Sequence, residues 1–370
     1  MKFAVITQIE HFKSENRFFS YAPYVREMNL WFQHVEEVVI VAPISAGKSG
    51  KIDDAYQHLD IDFKEIPAIN FTSVYQIFRA LLKLPLIVIT IFKVMKSADH
   101  IHLRCPGNVG LLGSIVQIFF PKKSKTAKYA GNWDPESKQP WSYKLQKWIL
   151  GNTVLTKNMQ VLVYGQWPNQ SKNIKPFFTA SYTETEKKEL PYRKYDLPLR
   201  FLFVGSLVKG KQPKYVIELI EGLVENEFPC ELHFYGDGML REALEEYLTD
   251  SKLKSCIYFH GNQETEQVKE AYQKSHFLVL PSKSEGWPKV VAEAMWWGTL
   301  PLVTSVSCVP WMLGNKERGL LLSGNLTDDI KSCILLLKDK EWLRMMAEAA
   351  SEWSRYYTLN RFDSEIKKLL

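Results

Sequence analysis

Cysteine is scarce in this sequence, and its spacing excludes several kinds of site. Only five of the 370 residues are cysteine, and no two of them form a C-x-x-C pair. A disulfide framework or a cysteine-based metal site is therefore not expected, and the composition is typical of a protein in a reducing compartment.

Long apolar runs are also missing. The longest, Leu84 to Phe92, has about nine residues and includes a proline, whereas a membrane-spanning helix needs about 20 apolar residues. The apolar start, Met1 to Thr7, is too short for a signal peptide and instead predicts a first buried strand. We therefore expect a cytoplasmic protein.

Strong charge of either sign is absent as well. The formal net charge is +6 and the pI is about 8.8. There is no zinc-finger spacing, arginine-rich tract or aromatic RNA-binding signature, so nucleic acid is not an expected partner. A diphosphate ligand together with an anionic membrane surface fits this mild positive charge.

The composition that remains is that of a large enzyme: 46% of the residues are hydrophobic and 24% are charged. Such a chain can bury a core in each of two domains. Apolar runs typical of strands alternate with helical patterns in both halves, which predicts two doubly wound α/β domains. The predicted strands cover 3–6, 37–42, 100–103, 126–130, 160–164, 200–205, 231–236, 257–261, 277–280 and 300–303, and long helices are predicted over 74–96, 109–119 and 142–150.

A polar segment marked by prolines, 182–199, interrupts this alternation and predicts a linker. We predict an N-terminal domain over 1–195 and a C-terminal domain over 196–354. A C-terminal helix over 355–370 is expected to pack back on the first domain.

The most informative segment lies between the apolar runs 277–280 and 300–303, as in one βαβ unit. Glu285 falls beyond the carboxyl end of the first strand, where parallel sheets bind ligands. Pro288 fits the first turn of the following helix, and the free amides near Lys289 and Val290 would suit a diphosphate.

A second carboxylate, Glu293, follows one to two turns into the same predicted helix. One carboxylate beside the anion site and another further along the helix could hold two separate sets of hydroxyls. A nucleotide sugar has this layout, with the sugar and the ribose on either side of the diphosphate.

The whole string EGWPKVVAEAMWWG, which begins at Glu285, resembles the E-x7-E signature of retaining glycosyltransferases of the GT-B fold. It is most similar to glycosyltransferase family 4. The resemblance implies two Rossmann-like domains facing across a cleft, a UDP- or GDP-linked sugar as donor, and no metal or other cofactor. It also implies that Glu285 binds the sugar near the reacting carbon and Glu293 the ribose. The residues between them that would line the donor site are Gly286, Trp287, Pro288, Lys289 and Val290.

The start of the second half carries another local match, from Gly205 to Lys211. Family members usually have glycine, arginine and leucine here, then a lysine, and the two cations contact the donor diphosphate. Lys211 matches the lysine and is predicted to stabilise the leaving group. Ser206 occupies the arginine position, and Lys209 is a candidate substitute without the bidentate geometry of arginine.

Glycines follow the predicted strands of the second half at Gly205, Gly236 and Gly261. They resemble the glycine turns of the family, which let a nucleotide approach the backbone because no Cβ intervenes. The first half departs more from the family, since it lacks a glycine-rich loop after its first strand.

Four residues of the first half are candidates for the acceptor side. Arg104 and Asn108 follow a predicted strand, and Asn132 and Trp133 follow another. A structural role within a turn is an equally good interpretation of Arg104, and core packing is an equally good interpretation of Trp133.

These observations predict a retaining glycosyltransferase that moves a hexose-type sugar to a saccharide acceptor. The resemblance favours a lipid-linked or oligosaccharide acceptor in bacterial surface-glycan assembly. Two alternatives stay open: a catalytically inactive donor-binding subunit, and a non-hydrolysing nucleotide-sugar epimerase.

A last expectation concerns the membrane. The segment 74–96 mixes apolar residues with Arg79, Lys83, Lys93 and Lys96, and Pro85 is expected to break or kink it. A second apolar helix ends at 119–123 with two lysines. Wide apolar faces can belong to the core, but basic residues beside exposed apolar ones favour an anionic membrane surface. We therefore predict peripheral association with the inner face of the membrane.

Overall fold

The structure is a computed structural model that describes residues 1–370 except 16, 48, 49, 51, 70–73 and 191, and only the backbone of 74–81. The chain forms two compact units. Unit 1 comprises Met1–Phe177 and Asp363–Leu370, and unit 2 comprises Phe178–Phe362. The segment predicted as a linker lies within unit 2. The last residues group with unit 1, where His34 Nε2 lies 2.6 Å from Asp363 Oδ1.

Unit 1 is built on parallel strands whose central members are buried, as expected for strands covered by helices. Its described strands are β1 (Lys2–Ile6), β2 (His11–Ser14), β3 (Arg17–Tyr21), β4 (Glu37–Ala42), β5 (Asp53–Ala55), β6 (Ile61–Glu65), β7 (His100–Cys105), β8 (Ser124–Tyr129), β9 (Met159–Tyr164) and β10 (Ile174–Phe177). Seven of them form a parallel sheet in the order β10-β9-β8-β7-β1-β4-β6. The short strands β2, β3 and β5 form a separate antiparallel sheet that the sequence did not predict.

The helices of unit 1 are α1 (Ala22–Phe32), α2 (Val74–Ser97), α3 (Asn108–Val116) and α4 (Trp141–Gly151), and a 3-10 turn, Gln117–Phe119, extends α3. Helix α2 continues through Pro85, so the expected break is wrong. The inner side of α2, which includes the fully buried Ile87 and Ile91, packs into the core and supports the helix despite the proline. Across the described residues, no helix combines the length and hydropathy that a membrane span requires.

Helices α2, α3 and α4 lie on one face of the sheet. Each connects two parallel strands, and all three connections move across the sheet in the same direction, towards β10. Because such crossovers are right-handed, the three helices share a face, whereas α1, which precedes a step in the other direction, lies on the opposite one. Helix α3 packs against both α2 and α4. The outer side of this helix layer is therefore one continuous surface of unit 1.

Unit 2 repeats the plan with a six-stranded parallel sheet in the order β13-β12-β11-β14-β15-β16. Its described strands are β11 (Leu199–Val204), β12 (Cys230–Tyr235), β13 (Ile257–Gly261), β14 (Phe277–Leu280), β15 (Leu300–Thr304) and β16 (Leu320–Leu322). The described helices are α5 (Pro213–Glu225), α6 (Arg241–Tyr247), α7 (Thr265–Lys274), α8 (Lys289–Trp296), α9 (Val309–Met312), α10 (Leu326–Leu337), α11 (Lys340–Arg355) and α12 (Leu359–Lys367), the last of which continues into the residues grouped with unit 1.

In each sheet the strand order reverses beside the first strand of the unit. Strand β1 lies between β4 and β7, and strand β11 lies between β12 and β14. Open α/β sheets bind ligands outside the carboxyl ends of their strands at such a switch point, because the connections diverge there and leave a crevice. Ligands are therefore expected beside the segments that follow β1 and β7 in unit 1 and β11 and β14 in unit 2.

Candidate functional site

The switch point of unit 2 is formed by the loops that follow β11 and β14. After β11 the chain makes a short 3-10 turn, Lys209–Lys211. The Gly210 carbonyl in this turn accepts a hydrogen bond of 2.9 Å from the Lys283 amide, which belongs to the loop after β14. The backbone thus holds the two loops side by side.

The same two loops are joined by an ion pair. The Lys211 ammonium group donates to the Glu285 carboxylate, although the two residues are 74 positions apart in sequence. Both side chains are partly buried, which weakens the screening of their charges by solvent. The structure therefore brings together the two residues that were predicted to be catalytic, and it places a cation and a carboxylate where a ligand would bind.

The neighbouring ends of β11, β12 and β13 meet at Gly205, Gly236 and Gly261, and we call these three glycines the glycine floor. Gly236, which follows β12, has a φ of +132°, and a Cβ at this position would lie 2.1 Å from the Gly205 carbonyl oxygen. The Gly205 amide in turn donates to the Tyr235 carbonyl at 2.9 Å, and the Gly236 amide donates to the Gly261 carbonyl at 2.8 Å. The ends of β11, β12 and β13 are consequently packed so closely that only glycine fits at Gly236.

Helix α8 begins directly after the signature loop. Pro288 is its N-cap and has extended backbone angles, so the prediction that Pro288 belongs to the first turn is wrong by one residue. No side chain caps this N-terminus. The first helical amides, at Lys289 and Val290, are therefore not satisfied by a capping side chain, and the helix dipole adds partial positive charge there.

The signature loop is fixed from its far side by residues that the sequence did not single out. Thr304 Oγ1 donates to the Ser282 carbonyl at 2.5 Å, and Ser307 Oγ donates to the Gly286 carbonyl at 2.9 Å. Cys308 Sγ also donates to Gly286, and burial raises the pKa of this thiol to about 12, so it stays protonated. These donors lie at the end of β15 or just after it, which is why sequence spacing alone could not connect them with the loop.

Trp287, the third residue of the signature, packs into an aromatic cluster. It is only 7% exposed. Its ring centroid lies 5.6 Å from that of Tyr357 and 6.1 Å from those of Trp311 and Trp353. A donor contact from Trp287 would therefore have to involve its backbone.

Glu293 is engaged within unit 2. Its Oε1 accepts a hydrogen bond of 2.5 Å from Ser181 Oγ, and its Oε2 accepts one of 3.0 Å from the Tyr272 hydroxyl. Burial and the neighbouring carboxylate raise the pKa of Tyr272 well above its ordinary value, so the hydroxyl remains a donor. Ribose binding by Glu293 would have to replace at least one of these two bonds.

The remaining candidates after β11 are open to solvent. Ser206 and Lys209 are both exposed.

A cation that the sequence did not single out lies on the other side of the glycine floor, where Arg241 Nη1 is 3.1 Å from Asp237 Oδ2. A Cβ on Gly261 would lie 3.1 Å from the same Arg241 nitrogen. Arg241 therefore contributes positive charge beside the ends of β12 and β13.

The switch point of unit 1 is polar, and among the residues that the structure describes no ion pair joins its two loops. Gln8 follows β1, and its Oε1 accepts a hydrogen bond of 2.9 Å from the backbone amide of Asn108, at the start of α3. Beside this contact is a pocket of about 260 Å³ whose polar lining includes Gln8, Glu10, Asn108 and Tyr143. Of these residues only Asn108 had been predicted.

The other candidate from this region, Arg104, belongs to β7 itself and is not available at the surface. Arg104 is buried, its guanidinium donates to the Glu27 carboxylate, and the guanidinium carbon lies 5.1 Å from the centroid of the Tyr24 ring. A buried pair of this kind is costly to break, because the remaining charge would be left without a partner. The geometry favours the structural alternative for Arg104.

The two candidates after β8 have different surroundings. Asn132 is partly exposed, and its Oδ1 accepts a hydrogen bond of 2.8 Å from the Asp134 amide. Trp133 is buried, its Nε1 donates to Gln170 Oε1 at 2.9 Å, and its ring packs edge-on against Tyr129. This packing favours the core alternative for Trp133.

Comparison with known proteins supports the resemblance. An uncharacterized glycosyltransferase of Methanocaldococcus jannaschii is 28% identical over 183 residues, which cover 49% of this chain and 50% of that protein. The lipopolysaccharide 1,6-galactosyltransferase of Escherichia coli is 30% identical over 128 residues, or 34% of this chain and 35% of that protein. The chain thus matches about half the length, or less, of these curated relatives.

Solved structures with the same fold extend over the whole chain. The lipopolysaccharide outer core galactosyltransferase WaaB superposes with a TM-score of 0.70 at 16% identity and covers 100% of this chain and 99% of that one. The Anabaena protein HepE in complex with UDP gives a TM-score of 0.68 at 14% identity, with the same coverage. These likenesses establish the fold as GT-B, as predicted.

A family model described as "Glycosyl transferases group 1" matches residues 184–353, which contain both loops of the unit 2 switch point. The predicted resemblance is therefore confirmed at the level of this group, while assignment to family 4 stays a prediction. Over that part of its second unit, this chain is similar to the group 1 glycosyl transferases.

Proposed function

We propose that the protein transfers a hexose from a UDP- or GDP-linked donor to a hydroxyl of a saccharide acceptor, with retention of the anomeric configuration. The observation that carries this proposal is the ion pair of Lys211 and Glu285 at the switch point of unit 2. It supplies a cation for a diphosphate and a carboxylate for sugar hydroxyls on two adjoining loops.

The chemistry requires little more than these groups. The bond between the anomeric carbon and the donor phosphate oxygen breaks, and a bond to the acceptor oxygen forms on the same face. The departing phosphate oxygen takes the acceptor proton, so neither a metal ion nor a protein base is needed. Lys211 and the first amides of α8 stabilise the charge that develops on the diphosphate, and Glu285 holds the hydroxyls of the sugar.

The acceptor is proposed to bind at the pocket of unit 1. Its lining offers amide, carboxylate and hydroxyl groups, which suit the hydroxyls of a saccharide. Relatives named for lipopolysaccharide galactosyl transfer and for transfer to a GlcNAc-diphosphoundecaprenol support a lipid-linked acceptor in surface-glycan assembly. Such an acceptor would place the enzyme at the cytoplasmic face of the membrane.

The donor is identified first by thermal shift with UDP, GDP and ADP, because selective binding to the folded state raises the melting temperature. Transfer from the matching nucleotide sugars is then followed with a panel of saccharide and lipid-linked acceptors. We expect Glu285→Gln to abolish measurable transfer, while Glu270→Gln, which removes an exposed carboxylate of α7, keeps it. Equal turnover in the two folded variants would contradict the site.

A donor-binding subunit without activity is the second candidate, and Ser206 favours it because the family resemblance implies an arginine at this position. Under this alternative the nucleotide raises the melting temperature, but no acceptor yields product. An epimerase differs from both, since it would exchange a sugar ring proton with solvent in the absence of any acceptor.

A further inference from the structure

The helix layer of unit 1 has an unusual outer surface. It is formed by the solvent-facing sides of α2 from residue 82, of the turn 117–119 and of α4, and we call it the three-helix face. Helices at a protein surface normally direct polar residues outward. On this face large apolar side chains point to solvent from all three elements.

Helix α2 is apolar on both of its sides. Leu82, Leu86 and Ile89 are 68%, 58% and 50% exposed, and their spacing of four and three residues places them on one side of the helix. Further along the same side, the centroid of the Phe92 ring lies 6.3 Å from that of Phe119, which is itself exposed. The apolar strip therefore passes from α2 to the turn that ends α3.

Helix α4 adds two tryptophans. Trp141 is 75% exposed and Trp148 is 60% exposed, and their separation of two helical turns puts both on the outer side. Lys144 lies exposed between them. Tryptophan is enriched where a membrane meets water, because its ring enters the apolar phase while its N–H stays hydrated.

The charges of the three-helix face have one sign. Lys93, Lys96 and Lys122 are exposed around the apolar strip, and no aspartate or glutamate occurs in α2, α3 or α4. Asp99 is the single acidic residue between Glu65 and Asp134, and its carboxylate accepts a hydrogen bond of 2.7 Å from the Lys2 amide. The face is thus apolar and cationic, a combination that complements an anionic phospholipid surface.

We propose that the three-helix face docks on an anionic phospholipid bilayer, with Trp141 and Trp148 entering the headgroup region. A second copy of the chain is a poorer occupant, because a symmetric pairing would bring lysines against lysines with no acidic residue on the face to neutralise them. The inference goes beyond the proposed function by naming the surface and its partner. It needs neither donor nor acceptor.

The test is sedimentation of the full chain with vesicles of phosphatidylglycerol and phosphatidylcholine, without any sugar substrate. We expect binding that grows with the phosphatidylglycerol fraction and weakens as salt is raised.

Trp141→Ser combined with Trp148→Ser should lower the partition coefficient about tenfold or more, whereas the control Trp342→Ser, an exposed tryptophan of unit 2, should not. Lys93→Gln combined with Lys96→Gln should lower it about fivefold per lysine, and Lys252→Gln combined with Lys254→Gln should leave it unchanged.

Three results would overturn the proposal: no binding to phosphatidylglycerol vesicles at low salt, binding that ignores both sets of face variants, or a dimer that the tryptophan variant abolishes while vesicles are not bound. Circular dichroism verifies that each variant is folded, and the lysine pair provides a separate test if the tryptophan variant is not. Transfer to a soluble saccharide is assayed separately, so a failure of docking and a failure of the proposed catalysis give different results.

Discussion

The two units solve the same geometric problem with different chemistry. In each, a loop after the first strand meets a loop after a neighbouring strand at the switch point of a parallel sheet. In unit 2 the contact is the ion pair of Lys211 and Glu285, and in unit 1 it is the hydrogen bond from the Asn108 amide to Gln8. The same fold therefore joins its two loops by an ion pair in one unit and by a neutral hydrogen bond in the other.

This difference indicates what each unit can bind. A cation beside the uncapped N-terminus of α8 favours a diphosphate, because both carry positive potential. In unit 1 the first amide of α3 is already bonded to Gln8 Oε1, and the pocket beside it is lined by groups that suit hydroxyls instead. Residue type at matching positions, rather than the shape of the sheet, thus separates the proposed donor and acceptor sides.

Removing Lys211, the cation of the unit 2 ion pair, should have the largest effect on activity. We expect Lys211→Ala to lower kcat/KM about a hundredfold or more, since it deletes a group that stabilises charge in the transition state. Lys214→Ala, which removes an exposed lysine of α5, is the matched control and should stay near wild type. Steady-state kinetics with the matching donor measures both variants. Similar rates would show that the cation of the unit 2 ion pair does not contribute to transfer.

The backbone floor of unit 2 should be sensitive to a single methyl group. Gly236→Ala places a Cβ 2.1 Å from the Gly205 carbonyl at a φ of +132°, so we expect a loss of about 3 kcal/mol in the free energy of unfolding. Gly151→Ala, at the end of α4 where the nearest atom is 3.8 Å away, should change it by less than about 0.5 kcal/mol. Urea unfolding measures both, and equal effects would show that the floor is not tightly packed.

Truncation of the Gln8 side chain in unit 1 should have a milder and more selective effect on activity. Gln8→Ala removes one hydrogen-bonding group worth about 1 kcal/mol, so we expect the acceptor KM to rise about fivefold. The affinity for the donor nucleotide, measured by calorimetry, should not change. Gln33→Ala, at the exposed end of α1, is the control. A loss of donor affinity in Gln8→Ala would contradict the assignment of the two sides.

The last prediction concerns stability alone, through a structural lysine of unit 1. Burial lowers the pKa of Lys125 to about 8 from 10.5, and its ammonium donates to Gln117 Oε1 at 2.8 Å. Between these two pKa values the unfolded chain binds more protons than the folded one, so this group makes stability rise with pH from about 8 to 10.5. Lys125→Met should remove that rise. The difference in unfolding free energy between wild type and variant, followed over this pH range, checks the sign, and a difference that falls with pH would contradict it.

Much of the fold followed from local patterns. The predicted strands and long helices are observed with small shifts at their ends, because buried parallel strands and amphipathic helices leave apolar runs of recognisable length. The antiparallel strands β2, β3 and β5 were missed, since they are short and only partly apolar. Pro85 was expected to break or kink α2, and the packing of its inner side kept the helix continuous.

For the site, the sequence alone determined the residue types and their order: Glu285 and Lys211 on loops after strands, glycines at neighbouring strand ends, and a helix after the signature. The tertiary structure decided which of these residues meet and which are already occupied. It paired Glu293 with Ser181 and Tyr272, buried Arg104 against Glu27, and turned Trp141 and Trp148 towards solvent. The physical reason is that hydrogen bonding and burial depend on partners far apart in the chain, whereas spacing records only neighbours along one strand or helix.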